Sequence, residues 1–141
     1  MSRHLLVILA ALAMPAAAQD LPGELSAADD IPVDEWAEMA MGRTLTYRID
    51  GELWAFERYH RGGNRVTLQL YDGTCMEGTW DYRPPYYCFH WNITGTACFR
   101  HARLANEILI IEDSAGDGPP PVQKMTSVSD LPLQCGPAVT S

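Results

Sequence analysis

The segment from Arg43 to Glu112 alternates apolar and polar residues with a period of two, in short runs separated by turns. This pattern is typical of half-buried β-strands. Asp50-Gly51 and Asp72-Gly73 are hairpin turn signals between such runs. Strands at intervals of about ten residues predict an antiparallel meander. The expected strands are 44–49, 52–60, 66–71, 76–82, 86–91, 97–102 and 107–112, with a weak last strand at 122–128.

An open sheet of this many strands would leave two exposed edges, which a small barrel removes by closing on itself. We therefore expect a mainly β fold, an antiparallel meander closed into a barrel, with a two-sheet sandwich as second choice. One short helix is expected at 32–41, because Trp36, Met39 and Ala40 share a helical face and Gly42 is a natural stop. This helix would plug one end of the barrel.

The first 18 residues have the pattern of a secretory signal peptide. A basic start precedes ten apolar residues, and Ala16 and Ala18 form an A-x-A cleavage site. A membrane-spanning helix would need about 20 apolar residues, and no cysteine follows the site to take a lipid. We expect a soluble periplasmic product with an acidic leader at 19–31. One β-rich domain follows at 32–141, with an irregular C-terminal tail.

The charge distribution excludes two classes of partner. The chain has a formal net charge of −8, and residues 19–42 hold seven acids and no base. Such a chain is repelled by nucleic acid and by anionic lipid, so neither is an expected partner. The acidic run is either a docking tail for a basic partner or a solvated leader that keeps the protein soluble, and the second interpretation is favoured. We expect a monomer.

The four cysteines predict two disulfide bonds, since an even number in an exported chain is typical of a disulfide framework. A zinc site is disfavoured because no pair has close C-x-x-C spacing. Side chains alternate between the two faces of a strand, and this alternation puts Cys88 and Cys98 on the outer face of adjacent strands, directly opposite each other. Cys75 is then left to pair with Cys135. A Cys75–Cys88 bond is the alternative, if the turn near Ile93 is misplaced.

No catalytic, cofactor or metal motif stands out. The mature chain has three histidines, His60, His90 and His101, which we interpret as single surface histidines. Parity places His90 and His101 on different faces of adjacent strands, which is poor geometry for sharing a metal. Serine, histidine and aspartate show no spacing that indicates a triad. We therefore predict no catalytic, cofactor-binding or metal-binding residues.

Aromatic residues are crowded between Trp54 and Phe99. They could line a cavity for an apolar ligand or fill the core of a small barrel, and the core is favoured. For Trp80 in particular we expect a core position on the face of Met76 and Tyr82, because that face should meet the apolar face of the next strand. The candidate core or ligand-lining residues are Trp54, Phe56, Trp80, Tyr82, Phe89 and Trp91.

Five short motifs resemble a group of small exported proteins of unassigned function from marine and photosynthetic alphaproteobacteria. The resemblance covers 32–135 and implies a periplasmic β-domain, with no active residues to carry over. The doubled Pro84-Pro85 departs from the pattern of the group. The motifs are Gly42-Arg43-Thr44-Leu45-Thr46-Tyr47, Cys75-x-x-Gly78-x-Trp80, Cys88-Phe89-x-Trp91, the nearby Cys98, and Leu131-Pro132-Leu133-Gln134-Cys135.

Three functional hypotheses remain. The first is a non-enzymatic periplasmic barrel that binds a small ligand or a protein partner. The second is an enzyme with Glu57, Glu77 and Asp81 as its only candidate acid–base groups. The third is an envelope accessory protein whose acidic leader docks elsewhere. An aromatic-lined cavity would favour the binder, whereas a carboxylate with a perturbed pKa in a cleft would favour the enzyme.

Overall fold

The structure is a computed structural model that describes Leu25, residues 27–113 and residues 121–136. The predicted signal peptide at 1–18 and most of the acidic leader lie outside the described residues. The secondary-structure elements are β1 (Asp29–Asp30), α1 (Val33–Ala40), β2 (Thr44–Ile49), β3 (Glu52–Tyr59), β4 (Arg65–Leu70), β5 (Cys75–Arg83), β6 (Tyr86–Trp91), β7 (Gly95–Leu104), β8 (Glu107–Glu112) and β9 (Val122–Ser129).

Strands β2 to β9 form a closed antiparallel eight-stranded barrel. Each strand pairs with the next along the chain, and β9 returns to pair with β2, for example Leu45 with Val128. The weakly predicted last strand is therefore the one that closes the barrel and removes both sheet edges. The predicted fold class, a mainly β barrel with one short helix, is confirmed.

Helix α1 lies across one end of the barrel. Trp36 and Ala40 on its inner face are completely buried. The Trp36 ring packs against Tyr59, at the end of β3, and against Tyr87, near the start of β6. The indole Nε1 donates to the Tyr59 hydroxyl at 3.2 Å. We call this end, where β3 and β5 finish, the plugged half, and the other end of the barrel interior the open half.

The described end of the acidic leader belongs to the folded unit. Strand β1 pairs with β7, and Ile31 is only 1% exposed. Ala28 packs with Leu109 and Ile111 on the outside of β8. This contact explains why β8 is apolar on both faces. The carboxylate of Asp30 forms an ion pair with Arg100 at 2.7 Å, so one acid of the leader is neutralised by the protein's own barrel.

Both disulfide bonds lie on the outside of the barrel. Cys88 and Cys98 are directly opposite residues of β6 and β7. Cys75, at the start of β5, is bonded to Cys135 in the C-terminal tail. These are the pairs that strand parity predicts, and they fit an exported protein in an oxidising compartment. The described residues include no helix with the length and hydrophobicity needed to cross a bilayer.

Candidate functional site

The open half of the barrel interior contains a cavity of about 500 Å³. Its walls come from all eight barrel strands, and turn residues such as Thr74 and Ile93 lie at its mouth. The lining is mostly apolar, and its larger side chains are Trp54, Leu68, Phe89, Trp91, Phe99 and Ile110. A cavity of this size and character is typical of a site for a small molecule.

The six aromatic candidates from the sequence fall into three places. Trp54, Phe89 and Trp91 line the cavity. Trp80 and Tyr82 pack instead against the buried cluster around Trp36 in the plugged half. Phe56 joins neither group and lies on the outer wall. The aromatic residues therefore serve as core at one end of the barrel and as cavity wall at the other.

A β-bulge separates Trp54 from Phe56. Tyr47 pairs with Ala55, whereas the next residue of β2, Arg48, pairs with Leu53. Trp54 is the extra residue on β3, and such a residue bends the strand and redirects its side chain. Regular alternation would place Trp54 and Phe56 on the same face. The bulge lets Trp54 reach the cavity. Phe56 lies after the bulge, where β3 alternates regularly, and its side chain is on the outer face.

A polar pair forms part of the cavity floor. The Tyr47 hydroxyl donates to Glu57 Oε1 at 2.9 Å, and the Glu57 residue is 5% exposed. Burial raises the pKa of the Glu57 carboxyl to about 7, although hydrogen bonds from Tyr59 and Tyr47 favour its charged form. Burial and the neighbouring Glu57 carboxylate raise the pKa of Tyr47 above its ordinary value. Glu57 therefore changes charge near neutral pH inside an apolar cavity.

His101 also lines the cavity, and the prediction that it is a surface histidine is wrong. It is 1% exposed, with its ring stacked on Tyr87 at 4.0 Å between centroids and 4.1 Å from the Trp36 ring. Its Nδ1 is buried without a hydrogen-bond partner among the described residues. Burial lowers its pKa well below the ordinary value, so the ring is neutral at physiological pH. Phe99 is apolar and lies two residues before His101 on the same strand. Residues two apart share a face, so this pattern could have placed His101 inside.

The other two candidate carboxylates lie outside the cavity. Glu77 accepts the Thr67 hydroxyl on the outer wall, with oxygen–oxygen distances of 2.9 and 2.8 Å. Asp81 accepts from His90 Nε2 at 2.7 Å and from Arg83 Nε at 2.9 Å. Of the three carboxylates that the sequence suggests for acid–base chemistry, only Glu57 lies in the cavity.

A hydroxyl–imidazole–carboxylate chain, which the sequence did not indicate, crosses three strands on the outer wall. His90 Nδ1 lies 2.9 Å from Thr96 Oγ1, and its Nε2 binds Asp81. The order of groups is that of a catalytic triad. These hydrogen-bonded side chains face a shallow surface groove rather than the cavity. Its clear effect is to join β5, β6 and β7 by side-chain hydrogen bonds.

Within the described residues, no three side chains of His, Cys, Asp or Glu lie close enough together to hold a metal ion. Comparisons of this chain with protein-family models, with curated proteins and with solved structures gave no match. The site combines a large apolar cavity with a carboxyl group of raised pKa and a neutral buried imidazole.

Proposed function

We propose that this protein is a non-enzymatic periplasmic barrel that binds a small, largely apolar molecule in its cavity. The observation that carries the proposal is the cavity of about 500 Å³ lined by aromatic and aliphatic side chains. Ligand sites typically enclose roughly 300–1,000 Å³ and combine apolar walls with a few polar groups. Here Glu57, Tyr47 and His101 are polar residues at the inner end of the cavity, and Glu112 is a further polar residue of the lining.

The filled interior of the plugged half indicates that the cavity is not a general feature of this barrel. There the interior is filled by Trp36, Tyr59 and Tyr87, all completely buried. Protein interiors are close-packed and contain few voids larger than a water molecule. The same strands enclose a filled region and a cavity, which supports a role for the cavity in binding.

Placement in the periplasm is part of the proposal. It is supported by the signal-peptide pattern at 1–18 and by the two disulfide bonds. The resemblance to small exported alphaproteobacterial proteins points to the same compartment. A monomer is sufficient for the proposed role, because one barrel supplies every described residue that lines the cavity.

The proposal is tested with a substitution that fills the cavity and leaves the plugged half unchanged. Ala97 lies on the cavity wall, so Ala97→Trp should occupy the space meant for the ligand. We expect the wild type to bind N-phenyl-1-naphthylamine, a neutral apolar fluorophore, with increased emission, and Ala97→Trp to lose this binding. Arg48→Trp adds the same side chain at an exposed position of β2 and should bind like the wild type. Wild type that does not bind the probe would contradict the proposal.

An enzyme is the second candidate, and the raised pKa of Glu57 is the observation that favours it. General acid–base groups with pKa values near the working pH are typical of active sites. Mass spectrometry of protein purified from periplasm distinguishes the two functions. A molecule retained unchanged after prolonged incubation supports binding alone, whereas conversion that Glu57→Gln abolishes supports catalysis.

A further inference from the structure

The charges of the cavity lining are all of one sign. Two carboxylates, Glu57 and Glu112, lie among the described lining residues, and no lysine or arginine does. His101 cannot supply a positive charge, because burial keeps its imidazole neutral. Nothing described in this cavity could neutralise an anionic head group.

The cavity walls favour the opposite charge. Phe89 and Trp91 lie parallel, with ring centroids 5.9 Å apart, and Phe99 meets Phe89 edge to face at 5.9 Å. Trp54 completes the aromatic lining. The faces of aromatic rings attract cations by about 0.5–2 kcal/mol, more when the cation is removed from water. The walls therefore suit an apolar body and also stabilise a positive charge beside it.

The floor offers an acceptor for N–H groups. Glu57 presents a carboxyl group that accepts hydrogen bonds from Tyr47 and Tyr59. His101, 1% exposed and lining the same cavity, has no side-chain partner for Nδ1 among the described residues. A neutral imidazole has one acceptor nitrogen. Nδ1 is itself buried, however, so the carboxyl group of Glu57 is the acceptor that the cavity offers to a ligand.

We propose that the ligand is a lipophilic amine, with its ammonium group at Glu57 and its apolar body between the aromatic walls. This inference rests on the proposed function. A fatty acid or another carboxylate is the class that the cavity rejects, since two like charges in a low-dielectric site oppose each other.

The affinity for an amine should depend on pH through the ionisation of Glu57. Tyr47 and Tyr59 contact Glu57, and His101 and Glu112 line the same cavity. Of these, Glu57 is the one whose pKa is raised to about 7. Because an ammonium group binds the carboxylate and not the protonated acid, amine affinity should increase about tenfold between about pH 6 and about pH 8. Such an amine keeps its charge throughout, with a pKa of about 10.

The experiment compares three ligands with one alkyl chain: decylamine, 1-decanol and decanoate, each below its critical micelle concentration. Their affinities are measured by displacement of N-phenyl-1-naphthylamine at about pH 8. We expect decylamine to bind at least about tenfold more tightly than decanol, a difference of about 1.4 kcal/mol, and decanoate to bind most weakly. In Glu57→Gln the preference for the amine should disappear while decanol affinity is retained. Glu77→Gln, which makes the same change on the outer wall, is the matched control and should keep the preference.

The outcomes separate the two proposals. Binding of decanol as tight as that of decylamine overturns the amine inference and leaves the binding function standing. Failure of all three ligands and of the fluorophore overturns both. A preference that survives in Glu57→Gln, or is lost equally in Glu77→Gln, refutes the assigned position of the ammonium group. If Glu57→Gln does not fold, the wild-type pH profile decides: amine affinity that does not increase with pH contradicts the inference.

Discussion

The two halves of the barrel interior contain similar residues but differ in how they are filled. In the plugged half, Trp36 of α1 is completely buried and packs against Tyr59, Tyr87 and His101. In the open half, Trp54, Trp91 and Phe99 border a cavity of about 500 Å³. Aromatic crowding in a small barrel therefore does not by itself mean a packed core. The helix fills one end, whereas the other end contains a cavity.

Glu57 and His101 lie where the two halves meet. Both line the cavity, yet Glu57 is next to Tyr59 and His101 is stacked on Tyr87, which belong to the plugged half. Contacts with the plugged half help to bury these two groups, and desolvation by burial shifts both pKa values toward the neutral forms. The plug thus affects the chemistry of the cavity as well as stability.

The largest effect is expected for Trp36→Ala. Removing a completely buried indole leaves a void that a closed, disulfide-linked barrel cannot fill, and the free energy of unfolding should fall by about 3–5 kcal/mol. Trp80→Ala, in the same half, should behave similarly. Thermal unfolding measures both. A melting temperature of Trp36→Ala within a couple of degrees of the wild type would show that the plugged half is not the main core.

The second prediction concerns Glu57→Gln and the pH dependence of stability. Folding raises the pKa of Glu57 from 4.5 to about 7, so the folded state keeps a proton that the unfolded chain releases. The wild type should therefore lose about 3 kcal/mol of stability through this group as pH increases across that window. Glu57→Gln cannot show this loss, and its stability relative to wild type should increase over the same range.

The control for this pH experiment is His101→Phe. Because the pKa of His101 is lowered on folding, its contribution to stability is lost as pH falls below 6.5, on the acid side. Denaturant unfolding at several pH values separates the two groups. A constant stability difference between wild type and Glu57→Gln across this pH range would mean that Glu57 is not desolvated by the plugged half.

A smaller effect is expected for Gly78→Ala in the wall of the open half. A Cβ atom at this position would lie 2.6 Å from the His90 carbonyl oxygen and 2.7 Å from Trp91 Cε3. Overpacking of this kind typically costs about 1–3 kcal/mol. At Gly63, a Cβ atom would meet nothing within 4 Å, so Gly63→Ala should be nearly neutral. Equal stability of the two variants would contradict the close packing of Trp91 over Gly78.

The smallest stability effect is expected for Trp54→Ala. Its indole already borders empty space, so truncation removes fewer contacts than at Trp36 and should cost about 1 kcal/mol. The same change should weaken binding of the fluorophore several-fold. Comparing Trp54→Ala with Trp36→Ala tests the contrast between the halves directly. If both variants lose similar stability and keep full binding, the open half is core rather than site.

The local pattern was sufficient for several features. Asp50-Gly51 and Asp72-Gly73 mark two hairpin turns, and alternation in each strand placed Cys88 opposite Cys98. The Trp80 prediction also depended on parity alone, and Trp80 packs in the plugged half. Features that follow from side chains alternating between faces could be predicted because that alternation is a property of each strand by itself.

Other features depended on the whole barrel. The bulge at Trp54 separates it from Phe56, and no local signal marks the position. The polar side chain of His101 predicts an exposed position, whereas alternation along its strand predicts an inward one, and the structure follows the alternation. Glu57 was named as a candidate carboxylate with Glu77 and Asp81, and only the closed barrel shows that it alone of the three lies in the cavity.

By itself, then, the sequence determined that the chain makes an antiparallel meander of short strands with one helix, since turns and period-two alternation act over a few residues. Closure into a barrel was favoured over a two-sheet sandwich, and the structure confirms it. Only the tertiary structure decided which interior positions are filled. The space inside a barrel depends on the tilt and stagger of all its strands and on where the helix enters. The same kind of residue becomes core next to α1 and cavity wall at the far end, and this difference carries the proposed function.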